Sequence, residues 1–293
     1  MKVEECVTRD EVFSGGTAKA DLWDSIIVSA DIKERLFRSA VLGMQLRGKL
    51  AFATTALHGL ILLVGPPGTG KTSLAQGLPA KLAPLCKTVR LIEVNPHGLM
   101  SAEHGQSQQA VMKLLADYVP GLADDGRPTI LLLDEIESMA VARSAASLSA
   151  NPADVHRATI AVSTALDQLT ATCPHIITVA TSNFPEVLDE AFTSRADDII
   201  EVPKPDPAAI ESIINVTLGG FAVAYPPLGK LASDPGLSKV ATSLKGLDGR
   251  QVRKVITDAM KIRHETTVDP GKLTIDDLRQ AAKKRQEGQR GAA

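Results

Sequence analysis

A strand-loop-helix pattern between residues 59 and 82 constrains the fold more than any other stretch of the chain. The apolar run 59–64 leads directly into GPPGTGKT at residues 65–72, which matches the phosphate-binding pattern G-x-x-x-x-G-K-[ST] at every fixed position. The run suits a buried parallel strand, and residues 73–82 suit the helix that must follow. The alternative is a Gly/Pro-rich turn with a chance lysine. Because both flanking elements are present, the sequence predicts a nucleotide-binding loop.

Each residue type in this loop has a chemical reason to be there. The glycines let the backbone turn so that its N–H groups face phosphate oxygens, and the following helix offers its positive N-terminus to the same anion. Lys71 is expected to contact the β- and γ-phosphates of ATP, and the Thr72 hydroxyl is expected to bind Mg²⁺. The predicted ATP-binding residues of the loop are Gly65, Pro66, Pro67, Gly68, Thr69, Gly70, Lys71, Thr72 and Ser73.

Two further predicted buried strands end in polar side chains. Residues 129–133 lead into Asp134 and Glu135. Asp134 is expected to hold Mg²⁺, usually through water, and Glu135 can polarise the attacking water as a general base. A strand with a solvated acidic end is the alternative, which the upstream loop disfavours. The run 175–180 ends close to Asn183, whose amide is expected to orient water near the γ-phosphate, although asparagine after a strand also forms turns.

The order of the remaining elements predicts an α/β fold. Helical patterns over residues 29–50, 107–118 and 153–169 alternate with the strands, and a further strand is expected at residues 88–94. This alternation predicts a parallel sheet flanked by helices on both faces, followed by a small all-helical domain. The predicted divisions are an N-terminal tail at residues 1–20, a nucleotide-binding α/β domain at 21–203 and a helical lid domain at 204–293.

Composition excludes several classes of function. A formal charge of −2 and an aromatic content of 3% do not predict a direct nucleic-acid partner. The three cysteines are widely spaced, without a metal or disulfide pattern, as is usual in a reducing compartment. The N-terminus shows no apolar leader, and no apolar run is long enough to span a membrane. The sequence therefore predicts a cytoplasmic protein without a membrane partner.

Taken together, these motifs resemble the AAA+ ATPases, with Walker A at the loop, Walker B at Asp134 and Glu135, and sensor 1 at Asn183. Several longer segments are similar to the pachytene-checkpoint, or thyroid-receptor-interactor, remodellers. The resemblance covers roughly residues 22–285, and its more specific parts are SRAD, the ESM continuation of Walker B, and GR-x-x-RK. The segments are LWDSIIVSADIKERL (22–36), GPPGTGKTSL (65–74), LIEVNPHGLMS (91–101), LLLDEIESM (131–139), TSNFPEVLDEAFTSRAD (181–197) and GLDGRQVRK (246–254).

This resemblance implies a P-loop AAA+ fold and an ATP- and Mg²⁺-dependent homo-hexamer. It implies a HORMA-domain partner, which the ring opens from a closed, peptide-bound form. A short cytosolic version resembles the bacterial members that work beside HORMA proteins in cyclic-oligonucleotide antiphage signalling (CBASS) operons. The alternatives are a general AAA+ unfoldase or clamp-loader-type ATPase with another partner, and a scaffold that binds ATP without hydrolysing it. The presence of Asp134, Glu135 and Arg195, the last of which resembles an arginine finger, disfavours the scaffold, because a protein that does not hydrolyse ATP needs neither a general base nor a finger.

The same resemblance implies that two arginines contact the nucleotide. Arg195 looks like an arginine finger that reaches the γ-phosphate of the neighbouring subunit; a surface salt bridge is the alternative. Arg250 resembles the sensor-2 arginine of the lid. Arg253 lies three residues further on and could share its face or take the role, and structural ion pairing is the alternative for Arg250.

The loop expected to line the pore departs from the eukaryotic pattern. Its predicted substrate-contacting residues are Met100, Glu103 and His104, and the stretch contains no aromatic residue. Methionine is adaptable and grips varied side chains weakly. We therefore expect brief pulling on a short, flexible end of the partner in place of complete threading.

Overall fold

The computed structural model describes residues 3–15, 20–95, 106–140 and 152–290. These residues form two compact units. The first comprises Met1–Gly65 and Lys71–Val202, and the second comprises Pro66–Gly70 and Pro203–Ala293.

A six-stranded, mostly parallel sheet forms the centre of the first unit, in the order β1-β3-β4-β5-β2-β6. All neighbouring strands are parallel except β1 and β3, which are antiparallel. The predicted α/β fold is therefore confirmed. The strands are β1 (Val7–Ser14), β2 (Leu60–Val64), β3 (Thr88–Val94), β4 (Thr129–Leu133), β5 (Ile176–Ser182) and β6 (Asp198–Glu201).

Strand β2 is apolar throughout because both faces of the sheet are covered there. In β2, Leu60 and Leu62 belong to one hydrophobic core, while Ile61 and Leu63 belong to the other. Side chains alternate between faces along a strand, so a strand between two cores has no polar side. The register pairs Val64 with Ser182 and Leu133 with Ala180. The carboxyl ends of β2, β4 and β5 consequently meet at one edge of the sheet.

Helices of the first unit follow the predicted alternation. Residues 113–118, predicted as regular helix, are π-helical, and 3-10 turns cover Val3–Cys6, Ile136–Ser138 and Pro185–Val187. The helices are α1 (Ala20–Ser25), α2 (Ala30–Arg47), α3 (Phe52–Thr55), α4 (Lys71–Cys86), α5 (Gln106–Met112), α6 (Val119–Leu122), α7 (Pro152–Thr172) and α8 (Glu190–Thr193).

The prediction of a tail over residues 1–20 is wrong for β1, which is an edge strand of the sheet. Phe13 is 3% exposed and belongs to a core. Most other side chains of the strand face solvent or pair across it, as Asp10 does with Arg90 at 2.7 Å. An edge strand needs little apolar surface, so its sequence reads as a polar segment. The short strand β6 was not predicted either, because only two of its four residues are apolar.

The second unit is helical and has its own buried residues, including Ile213, Val252 and Leu278. The last helix begins with a capping box: the Thr274 hydroxyl and the Asp277 carboxylate each accept a hydrogen bond from the other's backbone N–H. In the described residues of both units, no helix has the length and apolarity to cross a membrane. The helices of this unit are α9 (Pro207–Ala222), α10 (Leu228–Leu231), α11 (Leu237–Ser243), α12 (Gly249–Ala259), α13 (His264–Val268) and α14 (Ile275–Arg290), with a 3-10 turn at Pro270–Lys272.

Candidate nucleotide-binding site

Lys71 begins α4 and lies at the carboxyl edge of the sheet with its side chain buried. Its ammonium group donates to the Gly65 carbonyl at 2.6 Å and to Asn183 Oδ1 at 2.9 Å. Burial lowers the pKa of Lys71, and the carboxylates of Glu137, Asp134 and Glu135 oppose this shift. The arrangement supplies a buried cation at the N-terminus of a 16-residue helix, where an anion is favoured.

Asp134 directly follows β4, and its carboxylate is held from two sides. The Thr72 hydroxyl on α4 donates to Asp134 Oδ1 at 2.7 Å. The Thr181 hydroxyl on β5 donates to the same oxygen at 2.6 Å. Sequence reasoning had placed Thr72 and Asp134 at one Mg²⁺ site, and the structure brings their oxygens together.

Glu135 occupies an unusual backbone conformation, with φ 53° and ψ 54° in the left-handed region. A non-glycine residue there is strained unless its surroundings hold it. Its backbone N–H donates to Thr181 Oγ1 at 3.0 Å, and its carboxylate Oε1 lies 3.4 Å from Asn183 Nδ2. The predicted base and the predicted water-orienting amide are therefore neighbours.

Two residues of this cluster were missed by sequence reasoning. Glu137 accepts the Asn183 backbone N–H at Oε1 (3.1 Å), while its Oε2 is buried without a hydrogen-bond partner among the described residues. Thr181 bridges Asp134 and Glu135. The ESM and TSN segments contain these residues, but a glutamate or threonine next to a motif gives no signal of its own.

Arg195, the predicted finger, forms a two-pronged ion pair with a residue of the same chain. Its Nε and Nη2 atoms lie 2.8 Å from the two carboxylate oxygens of Asp167 on α7, and its Nη1 donates to the Ala191 carbonyl. The hydrogen bond from Arg195 lowers the pKa of Asp167. The arginine side chain is 23% exposed and borders a cavity of about 380 Å³. The structure thus places Arg195 at the surface, and its hydrogen bonds to described residues go to Asp167 and Ala191 and not to the cluster around Lys71.

The two aspartates after Arg195 anchor the segment to the rest of the first unit. The Asp197 carboxylate accepts the backbone N–H groups of residues 58–60, which enter β2. Asp198 Oδ2 accepts from Arg35 Nε at 3.1 Å and from the Ser39 hydroxyl at 2.6 Å. The hydrogen bonds of Asp197 therefore fix the segment that contains Arg195 against the start of β2, the strand that precedes the nucleotide-binding loop.

Within the second unit, the loop segment Pro66–Gly70 approaches the first turn of α12. Gly68 has φ +78°, and a Cβ there would lie 2.4 Å from Asp248 Oδ1, so only glycine fits. Asp248 caps α12 through a reciprocal capping box with Gln251. Arg250 is exposed, and a Cβ on Gly249 would lie 3.7 Å from Arg253 Nη1 and 3.5 Å from the Gly68 carbonyl oxygen. Both arginines remain candidates for sensor 2. The predicted pore-loop residues Met100, Glu103 and His104 lie outside the described residues.

The residues present fit the groups that the motifs require. The Thr72 hydroxyl and the Asp134 carboxylate are hard oxygen donors of the kind that Mg²⁺ prefers. Lys71 and the N-terminus of α4 fit a polyphosphate.

Comparison with known proteins agrees with this geometry. The model of the ATPase family associated with various cellular activities (AAA) matches residues 61–204. CD-NTase-associated protein 6 of Pseudomonas aeruginosa is 46% identical over 263 residues, which cover 89% of this chain and 86% of that protein. The chain belongs to the AAA ATPase family. Within it, the branch is that of CD-NTase-associated protein 6 and the pachytene checkpoint protein 2 homologues, as the resemblance predicted.

Two further comparisons agree with this assignment, one in sequence and one in fold. A pachytene checkpoint protein 2 homologue of Arabidopsis thaliana is 38% identical over 181 residues, which cover 60% of this chain but only 38% of that protein. The fold matches a chain in the structure of the E. coli MS115-1 HORMA:CdnC:Trip13 complex, with a TM-score of 0.75 at 18% identity. That match covers 97% of both chains. Membership in the AAA ATPase family implies ATP binding.

Proposed function

We propose that the protein hydrolyses ATP and uses the energy to open or disassemble a closed HORMA-domain protein, as a homo-hexamer in a bacterial CBASS operon. The observation that carries the proposal is the convergence of Lys71, Thr72, Asp134, Glu135 and Asn183 at one edge of the sheet. Each is the residue type that ATP hydrolysis needs at that place.

In this proposal each side chain has a separate task. Lys71 binds the β- and γ-phosphates, and Asn183 orients the attacking water. Glu135 takes the proton from that water as it attacks the γ-phosphate. Thr72 and Asp134 would hold Mg²⁺, which when bound neutralises charge on the phosphates. Arg195 is proposed to stabilise the transition-state charge on ATP bound to a neighbouring subunit, and Arg250 to contact the nucleotide from the lid.

The relatives support the choice of partner. The relative that is 46% identical over 263 residues is CD-NTase-associated, and the E. coli complex that matches in fold contains a HORMA protein, CdnC and Trip13. A cytoplasmic location belongs to the same proposal, since Cys6, Cys86 and Cys173 are all free thiols, which persist in a reducing compartment. The loop containing Met100, Glu103 and His104 is proposed to pull a flexible end of the partner.

The test is to capture the partner with a variant that holds ATP without turning it over. Tagged Glu135→Gln protein, supplied with ATP and Mg²⁺ in the native host's lysate, should retain a HORMA-domain protein that mass spectrometry identifies. Lys71→Ala protein is the matched control and should retain none, since it cannot bind ATP. Specific retention of a protease subunit or a DNA clamp in place of a HORMA protein would contradict the proposed partner and favour the alternative classes.

The captured partner then allows a direct assay of opening. The wild-type protein with ATP should release a fluorescent closure peptide from it. The double variant Met100→Gly, His104→Gly should hydrolyse ATP normally but fail to release the peptide, because neither residue is predicted at the phosphates. Full release by this variant would remove the loop from the mechanism.

A further inference from the structure

A buried hydroxyl on β5 connects Asp134 and Glu135, two of the carboxylate residues of the candidate site. Thr181 is 1% exposed. Its Oγ1 donates to Asp134 Oδ1 at 2.6 Å and accepts the backbone N–H of Glu135 at 3.0 Å. The hydroxyl thereby uses its one hydrogen as donor and a lone pair as acceptor. Both of its partners are residues to which the proposed hydrolysis assigns a role.

The first hydrogen-bond partner of Thr181, the Asp134 carboxylate, is held in one orientation. Asp134 Oδ1 accepts from Thr181 on one side and from the Thr72 hydroxyl on the other. A carboxylate held by two donors cannot rotate freely, and such outer hydrogen bonds orient the groups that bind metals. Without Thr181, Thr72 would be the only side chain in the described part of the chain that donates to this oxygen, and Thr72 is itself a predicted Mg²⁺ ligand.

The second partner is strained. With Ala56 and Lys87, Glu135 is one of three non-glycine residues with positive φ in the described part of the chain. A left-handed conformation persists at such a residue only where neighbouring groups hold it. The hydrogen bond from its N–H to Thr181 is such a restraint, and the conformation directs the Glu135 carboxylate toward Asn183.

We propose that Thr181 is a positioning residue for ATP hydrolysis, whose hydroxyl sets the Asp134 carboxylate and the Glu135 backbone in the arrangement that the chemical step requires. This rests on the proposed ATPase function of the same site. Thr181 touches neither the nucleotide nor water in this role. Its effect must therefore appear in the chemical step more than in nucleotide binding.

The test compares three substitutions, each made in the 293-residue chain. Thr181→Val keeps the shape but removes the hydroxyl, and Thr181→Ser restores it. Thr178→Val is the matched control, because Thr178 is also buried on β5 and its hydroxyl makes no hydrogen bond to Asp134 or Glu135 among the described residues. Steady-state phosphate release gives kcat and KM for ATP, and calorimetry in EDTA gives ATP binding without Mg²⁺. Thermal unfolding monitors the fold of each variant.

Thr181→Val should lower kcat by about 10- to 100-fold, the usual cost of losing a group that orients a metal ligand. Its ATP affinity in EDTA should be unchanged. Thr181→Ser should recover most of the lost rate, and Thr178→Val should match the parental kcat. If Thr181→Val does not fold, Thr181→Ala and Thr181→Ser carry the comparison, since they differ by one hydroxyl.

Three results would overturn the proposal: a parental kcat in Thr181→Val, an equal loss in Thr178→Val, or no recovery in Thr181→Ser. These differ from failure of the proposed function itself. In that case the parental protein would not hydrolyse ATP with Mg²⁺ at all, with or without its partner, and no variant would be needed to reach that conclusion.

Discussion

The ion pair between Arg195 and Asp167 yields a quantitative test of the finger assignment. As an exposed pair, with side chains 23% and 47% exposed, it is worth about 0.2–1 kcal/mol. Such an energy changes a rate by about fivefold at most. A finger supplied to the neighbouring subunit's ATP is worth about 10³–10⁵ in rate, or roughly 4–7 kcal/mol of barrier. Arg195 should therefore leave Asp167 and bind the γ-phosphate of a neighbouring subunit whenever that phosphate is close enough to contact.

These magnitudes predict a large asymmetry between the two partners of the pair. Arg195→Ala should bind ATP normally but lose about 10³-fold or more in kcat. Asp167→Ala, which frees the same guanidinium, should change kcat by about fivefold or less. The assay is phosphate release at saturating ATP, at protein concentrations above the assembly midpoint. Arg195→Lys controls for charge, since it keeps the cation but loses the planar fork.

The surface-salt-bridge interpretation makes the opposite forecast. If Arg195 serves only the ion pair, removing either partner removes the same interaction, so both alanine variants should give equal and small effects. Equal phosphate-release rates in Arg195→Ala and Asp167→Ala would show that Arg195 does not act as a finger. Mixing gives a second check: Arg195→Ala protein added to the parental protein should depress activity beyond its mole fraction, and linear dilution would count against a finger acting between subunits.

Two further predictions concern the second unit. The Arg263 guanidinium holds the pKa of Asp277 at about 2, below its ordinary value of 3.8. The ion pair therefore stabilises the fold at pH values above about 4, and this stabilisation is lost as the pH falls from about 4 to about 2. At pH 6, Asp277→Asn should lower the free energy of unfolding by at most about 2 kcal/mol, measured by urea titration. The difference in free energy of unfolding between this variant and the parental protein should be smaller at pH 3. An equal difference at both pH values would contradict this prediction. For the lid arginines, Arg250→Ala should raise the Kd for ATP by about tenfold, the loss of one charge-assisted hydrogen bond, and a larger rise in Arg253→Ala would move the sensor-2 role to Arg253.

Much of the fold could be predicted because buried parallel strands leave a strong signal. Residues 60–64 and 130–133 are apolar without a break, since each strand lies between two cores. β1 lacks that signal: the strand is at the edge of the sheet, and only Phe13 in it is fully buried. The pairing of Asp10 with Arg90 depends on β3, which is distant in sequence, so no local pattern reveals it.

The candidate site divides in the same way. Lys71 and Asp134 follow from motifs in which residue type and spacing are both informative, and the structure brings their neighbours together. Thr181 could not be recognised from the sequence, because its importance comes from two hydrogen bonds to residues more than forty positions away. The Asp167 partner of Arg195 is also invisible in sequence, since a bidentate pair across 28 residues depends on how α7 and α8 are placed. Tertiary geometry, and not local pattern, decides such contacts.

The most direct test of the central claim, that this cluster hydrolyses ATP, is to measure binding and turnover in parallel on the parental protein and on Glu135→Gln. The amide cannot accept a proton from water, but it keeps the shape of the carboxylate. Glu135→Gln should keep the parental ATP affinity by calorimetry and lose at least about 100-fold in phosphate release. Turnover of ATP by Glu135→Gln at the parental rate would contradict the claim.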